Sequence, residues 1–148
     1  MMLLQERFFI EKQSGVVQLN FVQNSDGTSA TNTSAVVAWT PSTGVWYHVA
    51  VVYTAAAGSA AFYVDGVQQG STQTGLGTST HNSTAVFTLG LADLSDAALR
   101  TLNGRLCLAR YWSSARTVTE ISNNKCIILG STEKKISIWT NRQRIYCN

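Results

Sequence analysis

Residues 45–66, VWYHVAVVYTAAAGSAAFYVDG, constrain the fold more than any other stretch of the chain. Successive side chains of a β-strand point to opposite faces. Val45, Tyr47, Val49, Val51 and Tyr53 therefore share one face, and Trp46, His48, Ala50, Val52 and Thr54 share the other. The first face is wholly apolar, rich in the β-branched and aromatic residues that suit a sheet packed on a core. The second is mixed and is expected to meet a partly wet surface. Small residues at 55–58 lead into a second run, residues 59–64, which closes on Asp65-Gly66. An Asp-Gly pair between apolar runs is a strong hairpin signal, because both turn positions must tolerate positive φ. It folds residues 60–64 back onto residues 67–69. Helical spacing fits poorly, and the pattern is an antiparallel meander.

The rest of the chain agrees. Its 148 residues suit one domain with enough mass to bury a core. Apolar runs at residues 7–10, 15–22, 35–40, 85–91 and 106–112 alternate with Gly, Ser, Thr and Asn clusters, which predicts further short strands. Residues 24–34, 70–84 and 90–104 read as loops. The single proline, Pro41, falls in the connection between Trp39 and Val45. Thr117, with Glu120 three residues later, is a capping-box signature for a short helical turn over 117–123. From Lys125 the character changes, with five basic residues in the last 24 and a last strand expected at 136–139. The expected organisation is thus a sandwich over residues 1–124 and a basic tail over 125–148.

Several function classes are excluded early. No apolar run approaches the ~20 residues of a membrane helix. Met1-Met2-Leu3-Leu4 runs at once into Gln5-Glu6-Arg7, too short for a signal-peptide core. The net charge is +3, yet no Lys or Arg occurs from Gln13 through Leu99. Arg110-Tyr111-Trp112 superficially fits a nucleic-acid stripe, but an electrostatic footprint needs clustered cations. It reads better as a strand with one exposed Arg. A Ser/Thr/Asn-rich, weakly charged surface is common in extracellular β domains, so an extracellular or cell- or particle-surface location is expected.

Trp46-Tyr47-His48-Val49-Ala50, Phe62-Tyr63-Val64-Asp65-Gly66, Leu89-Gly90, Gly104-Arg105-Leu106, Arg110-Tyr111-Trp112 and Glu120-Ile121 occur in the order seen in laminin-G-like jelly rolls. The chain resembles that family, within the concanavalin A-like lectin/glucanase superfamily, over about three quarters of its length. The resemblance implies an all-β, antiparallel two-sheet jelly-roll sandwich. Where the family carries an acidic pair, this chain has Cys107-Leu108. Relative to the family it also starts late, as though truncated by one or two N-terminal strands. The sheet edge this leaves is expected to be covered by residues 136–139.

Enzymatic readings fare badly. The glucanase branch places carboxylates on one strand as E-x-D-x-x-E, and no such spacing exists here. G-x-S-x-G is missing, and Gly75-Leu76-Gly77 lacks the continuation a phosphate loop needs. Two histidines, His48 and His81, are too few and too distant in sequence for zinc. Trp46, His48 and Asp65 read as scaffold. Catalytic residues and a resident metal are therefore not expected, and no cofactor is implied. Several laminin-G-like domains hold Ca²⁺ at the rim, which makes Asp93, Asp96 and, more distantly, Asp26 the oxygen ligands to weigh against ordinary turn chemistry.

Three cysteines lack C-x-x-C spacing. Cys107 is expected to pack in a strand, while a Cys126–Cys147 bridge would secure the tail in an oxidising compartment. Asn32-Thr33-Ser34 and Asn82-Ser83-Thr84 match the glycosylation acceptor, a frequent chance match in such loops.

The leading expectation is a noncatalytic module recognising a glycan or a protein surface through rim loops carrying Asp26, Asp93 and Asp96, within a larger surface protein. Trp39 and Trp112 are the aromatics weighed for sugar stacking, although core packing suits each better. A purely structural jelly roll and a degenerate glucanase fragment are the alternatives. Neither nucleic acid nor membrane insertion is expected.

Overall fold

The computed structural model describes residues 6–81, Leu89 and residues 104–127. Strands β1 (Arg7–Gln13), β2 (Val16–Gln23) and β3 (Thr33–Trp39) form one antiparallel sheet in that order. Strands β4 (Val49–Thr54), β5 (Ser59–Val64) and β6 (Val67–Thr74) form the second, also in chain order. Ser14-Gly15 joins β1 to β2 with φ of 50° and 87°, and Asp65-Gly66 joins β5 to β6 with 50° and 84°. Two central residues at positive φ give a turn whose twist matches that of the strands it connects.

The sheets pack face to face. Leu19, Phe21 and Ala35 of the first meet Ala60, Phe62 and Val64 of the second, with Leu76 closing one end. The Phe8 and Phe62 rings lie 6.3 Å apart and those of Phe21 and Tyr53 5.3 Å apart. Tyr47, Val49, Val51 and Tyr53 pack onto this core, as their alternation requires.

The opposite face of β4 and β5 is drier than its mixed composition implies. Helix α1 (Val118–Asn124) covers it, burying Ile121 with Ala61 and Tyr63 against Ala50 and Val52. The helix begins as the capping box predicts. The Glu120 amide donates to Thr117 Oγ1 at 3.2 Å, and the Thr117 amide donates to Glu120 Oε2 at 2.8 Å. Gly66 seats the helix on the hairpin: a Cβ there would lie 3.0 Å from Ser122 Oγ, and its φ is one that other residues rarely adopt. Lys125 Nζ then donates to the Asp65 carbonyl at 3.2 Å.

Five expectations are corrected. Residues 106–112 form no strand: Leu108 has φ of 53°, and Leu106 and Tyr111 are exposed. Cys107 is consequently exposed and free rather than packed. Strand β4 starts at Val49, leaving residues 45–48 irregular, and β6 runs to Thr74 through the first part of the expected loop. β1 extends past residue 10 to Gln13, because Ser14-Gly15 supplies the turn. Cys126 is disulfide-bonded. Its proposed partner Cys147, the expected strand at 136–139, most of residues 85–91, and Asp93 and Asp96 lie outside the described residues.

Candidate functional site

Three clusters carry the polar and aromatic chemistry of the sandwich. The first is the rim loop after β2. Gln23 and Asn24 are wholly buried there. The Asn24 side-chain amide donates to Asn32 Oδ1 at 2.9 Å, to Thr31 Oγ1 at 3.2 Å and to the Thr28 carbonyl. Its oxygen accepts from the amides of Asp26, at 3.2 Å, and Gly27. Asn24 thus replaces the water that a loop backbone would otherwise need. The His81 amide donates to the Asn24 carbonyl at 3.0 Å, fastening this loop to the segment after β6. Gly27 makes the approach possible, since a Cβ at its φ of +85° would lie 2.8 Å from His81 Nε2. Gln23 extends the network, accepting from Thr33 Oγ1 at 3.0 Å and donating to the Ser79 carbonyl. Nearby, the Tyr53 hydroxyl donates to the Gly77 carbonyl; burial raises its pKa and the Glu6 charge adds to that.

Asp26 belongs to this network. Its Oδ1 accepts from the Thr31 hydroxyl and, at 2.8 Å each, from the Thr28 amide and hydroxyl. Those bonds, the Thr31 hydroxyl first, hold its carboxyl below the ordinary aspartate range. Among the described residues no group of three or more His, Cys, Asp or Glu comes together in a way that could hold a metal ion.

The second cluster surrounds His48. The His48 amide donates to Asp65 Oδ1 at 2.9 Å, and the Asp65 amide donates back to the His48 carbonyl at 2.8 Å. His48 Nδ1 is buried without a hydrogen-bond partner. Burial lowers the pKa of the ring, the positive charges of Arg110 and Lys125 lower it further, and Asp65 opposes them. Arg110 itself donates to the carbonyls of Asn124 and Ile127, satisfying groups that the end of a helix leaves open. His48 and Asp65 together tie the segment before β4 to the β5–β6 turn.

The third cluster reverses an expectation. Trp39 packs against the core edge-on to Tyr47, with ring centroids 5.0 Å apart at 87°. Trp112 is covered by the Arg116 guanidinium 3.9 Å from its ring centroid. Trp46, read as scaffold, is 59% exposed. It lies in the irregular segment before β4, outside the cluster of Ala50 and Val52 that α1 packs on. Gly44, Val45, Trp46, Gly104 and Arg105 line an open pocket of about 370 Å³. Two of the five lining residues are glycines, which add no side chain to its walls.

A family model describing the concanavalin A-like lectin/glucanases superfamily, of laminin G type, matches residues 5–122. The chain belongs to this superfamily. No curated protein matches it. The solved structure of an S-layer domain-containing protein from Clostridium thermocellum ATCC 27405 is 17% identical, with a TM-score of 0.45. That similarity covers 82% of this chain and 63% of the other, so this chain spans less than two thirds of that one's length. The superfamily holds both lectins and glucanases, and membership leaves the chemistry to the site. In this concanavalin A-like jelly-roll sandwich the described carboxylates are scattered. Asp26 caps a loop, Asp65 a hairpin and Glu120 a helix.

Proposed function

We propose that the domain is a noncatalytic recognition module of a larger surface or extracellular protein, and that it binds a carbohydrate at the Trp46 pocket. The exposed indole of Trp46, beside Gly44 and Gly104 in the pocket lining, carries this reading. Sugar rings present an axial C–H face that stacks on an aromatic plane, while their hydroxyls stay in contact with water and polar neighbours. Covering one indole face removes on the order of 100 Å² from water, about 2 kcal/mol or roughly thirtyfold in affinity.

The scaffold supports such a role. The hydrogen bonds of Asn24 and of His48 with Asp65 tie loops to the strands beside them, which limits the ordering that binding on such a scaffold requires. Asp26 fits a loop-stabilising role, with Ca²⁺ at Asp93 and Asp96 the accessory proposal to be tested beside it. An oligosaccharide array probed with the wild-type chain and with Trp46→Ala, each with millimolar Ca²⁺ and with EDTA, tests the reading. Binding that Trp46→Ala abolishes supports it. An array without hits, or hits indifferent to Trp46→Ala, favours a purely structural sandwich.

A further inference from the structure

Strand β1 pairs with β2 on one side, and among the described residues no strand pairs with its other side. A sheet edge of this kind offers a row of backbone donors and acceptors to any strand that fits, unless proline, a bulge or charge blocks it. β1 contains no proline, and its register with β2 runs unbroken from Arg7↔Val22 to Gln13↔Val16. Phe8 lies opposite Phe21 and Ile10 opposite Leu19, which places both on the core face of the sheet. Yet Phe8 is 37% and Ile10 44% exposed, so this apolar row is only partly covered. By alternation Arg7, Phe9 and Glu11 share the other face, and there the Arg7 guanidinium stands 5.9 Å from the Phe9 ring centroid.

We propose that two copies of the chain pair through β1, antiparallel about a two-fold axis at Phe9, so that their three-stranded sheets join into one. A two-fold axis normal to the sheet keeps each side chain on its own face, so one residue of β1 must oppose itself. Centring on Arg7, Glu11 or Lys12 sets like charges opposite each other, and centring on Gln13 leaves little of the strand paired. Centring on Phe8 sets Glu6 against Ile10. Centring on Ile10 sets Phe8 against Lys12 and Phe9 against Glu11. Phe9 alone matches like with like and charge with countercharge. In that register Arg7 of one copy faces Glu11 of the other, Phe8 faces Ile10 and Lys12 faces Glu6, and symmetry makes each pair twice. Opposite-charge and apolar pairs of this kind are the ones that stabilise adjoining strands. Arg7 keeps its contacts within its own chain, while Glu11 and Lys12 are exposed. Water and salt screen such exposed charges, so they select the register, and the Phe8 and Ile10 rows with the backbone ladder supply the affinity.

Sedimentation equilibrium on the full chain tests this, in a Cys107→Ser background that removes the exposed free thiol. It is expected to show a reversible monomer–dimer equilibrium. Glu11→Lys sets a second cation against Arg7 at two places and should weaken dimerisation by about tenfold or more. Arg7→Glu should weaken it likewise, and an equimolar mixture of the two variants should restore it, because every charge then meets its opposite. Circular dichroism checks that each variant is folded. Phe9→Cys tests the axis itself. Its two thiols would face each other directly, within the spacing a disulfide spans, so oxidised glutathione should join the copies covalently. Gln13→Cys, whose thiols would lie roughly 27 Å apart along the strands, should stay unlinked. A chain that remains monomeric up to its solubility limit overturns the proposal. A dimer indifferent to Glu11→Lys, or one linked through Gln13→Cys and not through Phe9→Cys, overturns it too.

Discussion

His48 and Asp65 exchange hydrogen bonds across the start of β4: the His48 amide donates to the Asp65 carboxylate at 2.9 Å, and the Asp65 amide donates to the His48 carbonyl at 2.8 Å. The pair ties the irregular segment before β4 to the β5–β6 turn, on which helix α1 sits. Asp65 does two jobs here, since it also holds a φ of 50° that few residues other than Gly, Asn and Asp accept readily. Asp65→Asn keeps the acceptor oxygen and the turn, so its denaturation midpoint should stay close to wild type. Asp65→Ala loses both and should cost about 1–2 kcal/mol in urea unfolding. Equal stability of the two variants would contradict this role.

His48 gives the fold a pH dependence of defined sign. Its folded pKa is lowered, by burial first and then by Arg110 and Lys125 against the opposing pull of Asp65. A lowered histidine favours the neutral ring in the folded state, so its contribution is intact above the unfolded value near ~6.5. It is lost progressively as pH falls through that value toward the lower folded one. Melting temperatures measured from pH 8 to pH 5 should therefore fall more steeply for wild type than for His48→Gln. Glu6, whose pKa burial raises, acts in the opposite sense and is shared by both proteins, so the difference between the curves isolates His48. Parallel curves would rule the effect out.

Helix α1 is short, and its cap and its one buried side chain should dominate its stability. Thr117→Ala removes the acceptor for the Glu120 amide and should cost about 1 kcal/mol. Ile121→Ala opens the small cluster with Ala61 and Tyr63 and should cost about 2 kcal/mol, at the low end for a buried isoleucine. Hydrogen exchange should show the cap variant loosening α1 without loosening β2 or β5. Uniform loosening of the whole sandwich would place the helix in the main folding unit instead.

Asp26 is anchored by an oxygen acceptor that an amide can imitate. Asp26→Asn should leave the melting temperature nearly unchanged, and Asp26→Ala should lower it, as the Thr28 and Thr31 groups lose their acceptor. A metal ligand behaves otherwise, because Asn would weaken it too. The comparison, run with and without Ca²⁺, separates the two roles.

The alternation in residues 45–66 identified the core-facing side of β4 because packing on one face leaves a period-two record in the sequence. The Asp-Gly turn and the Thr117–Glu120 cap were legible for the same reason: each needs particular chemistry at fixed spacing. Ser14-Gly15 makes the same kind of turn with a weaker signature, so β1 was read too short. Residues 106–112 have strand-like composition, but composition does not report the positive φ at Leu108. Gln23 extends the inward series of Val17, Leu19 and Phe21, a signal of burial that its polarity masked. Trp46 was the harder case. Trp46 lies in the irregular segment before β4, where strand alternation no longer reports which side chains are buried.

The most direct test of the Trp46 surface watches the indoles themselves. The chain has four tryptophans, each giving its own indole N–H signal in a ¹H–¹⁵N spectrum. With the signals assigned by substitution, a panel of acidic and neutral oligosaccharides is titrated in. The account predicts that a member of the panel shifts the Trp46 signal in a saturable way while that of Trp39, packed on Tyr47 in the core, stays in place. A saturable shift at Trp39 with none at Trp46, or no response of Trp46 to any member of the panel, would contradict it.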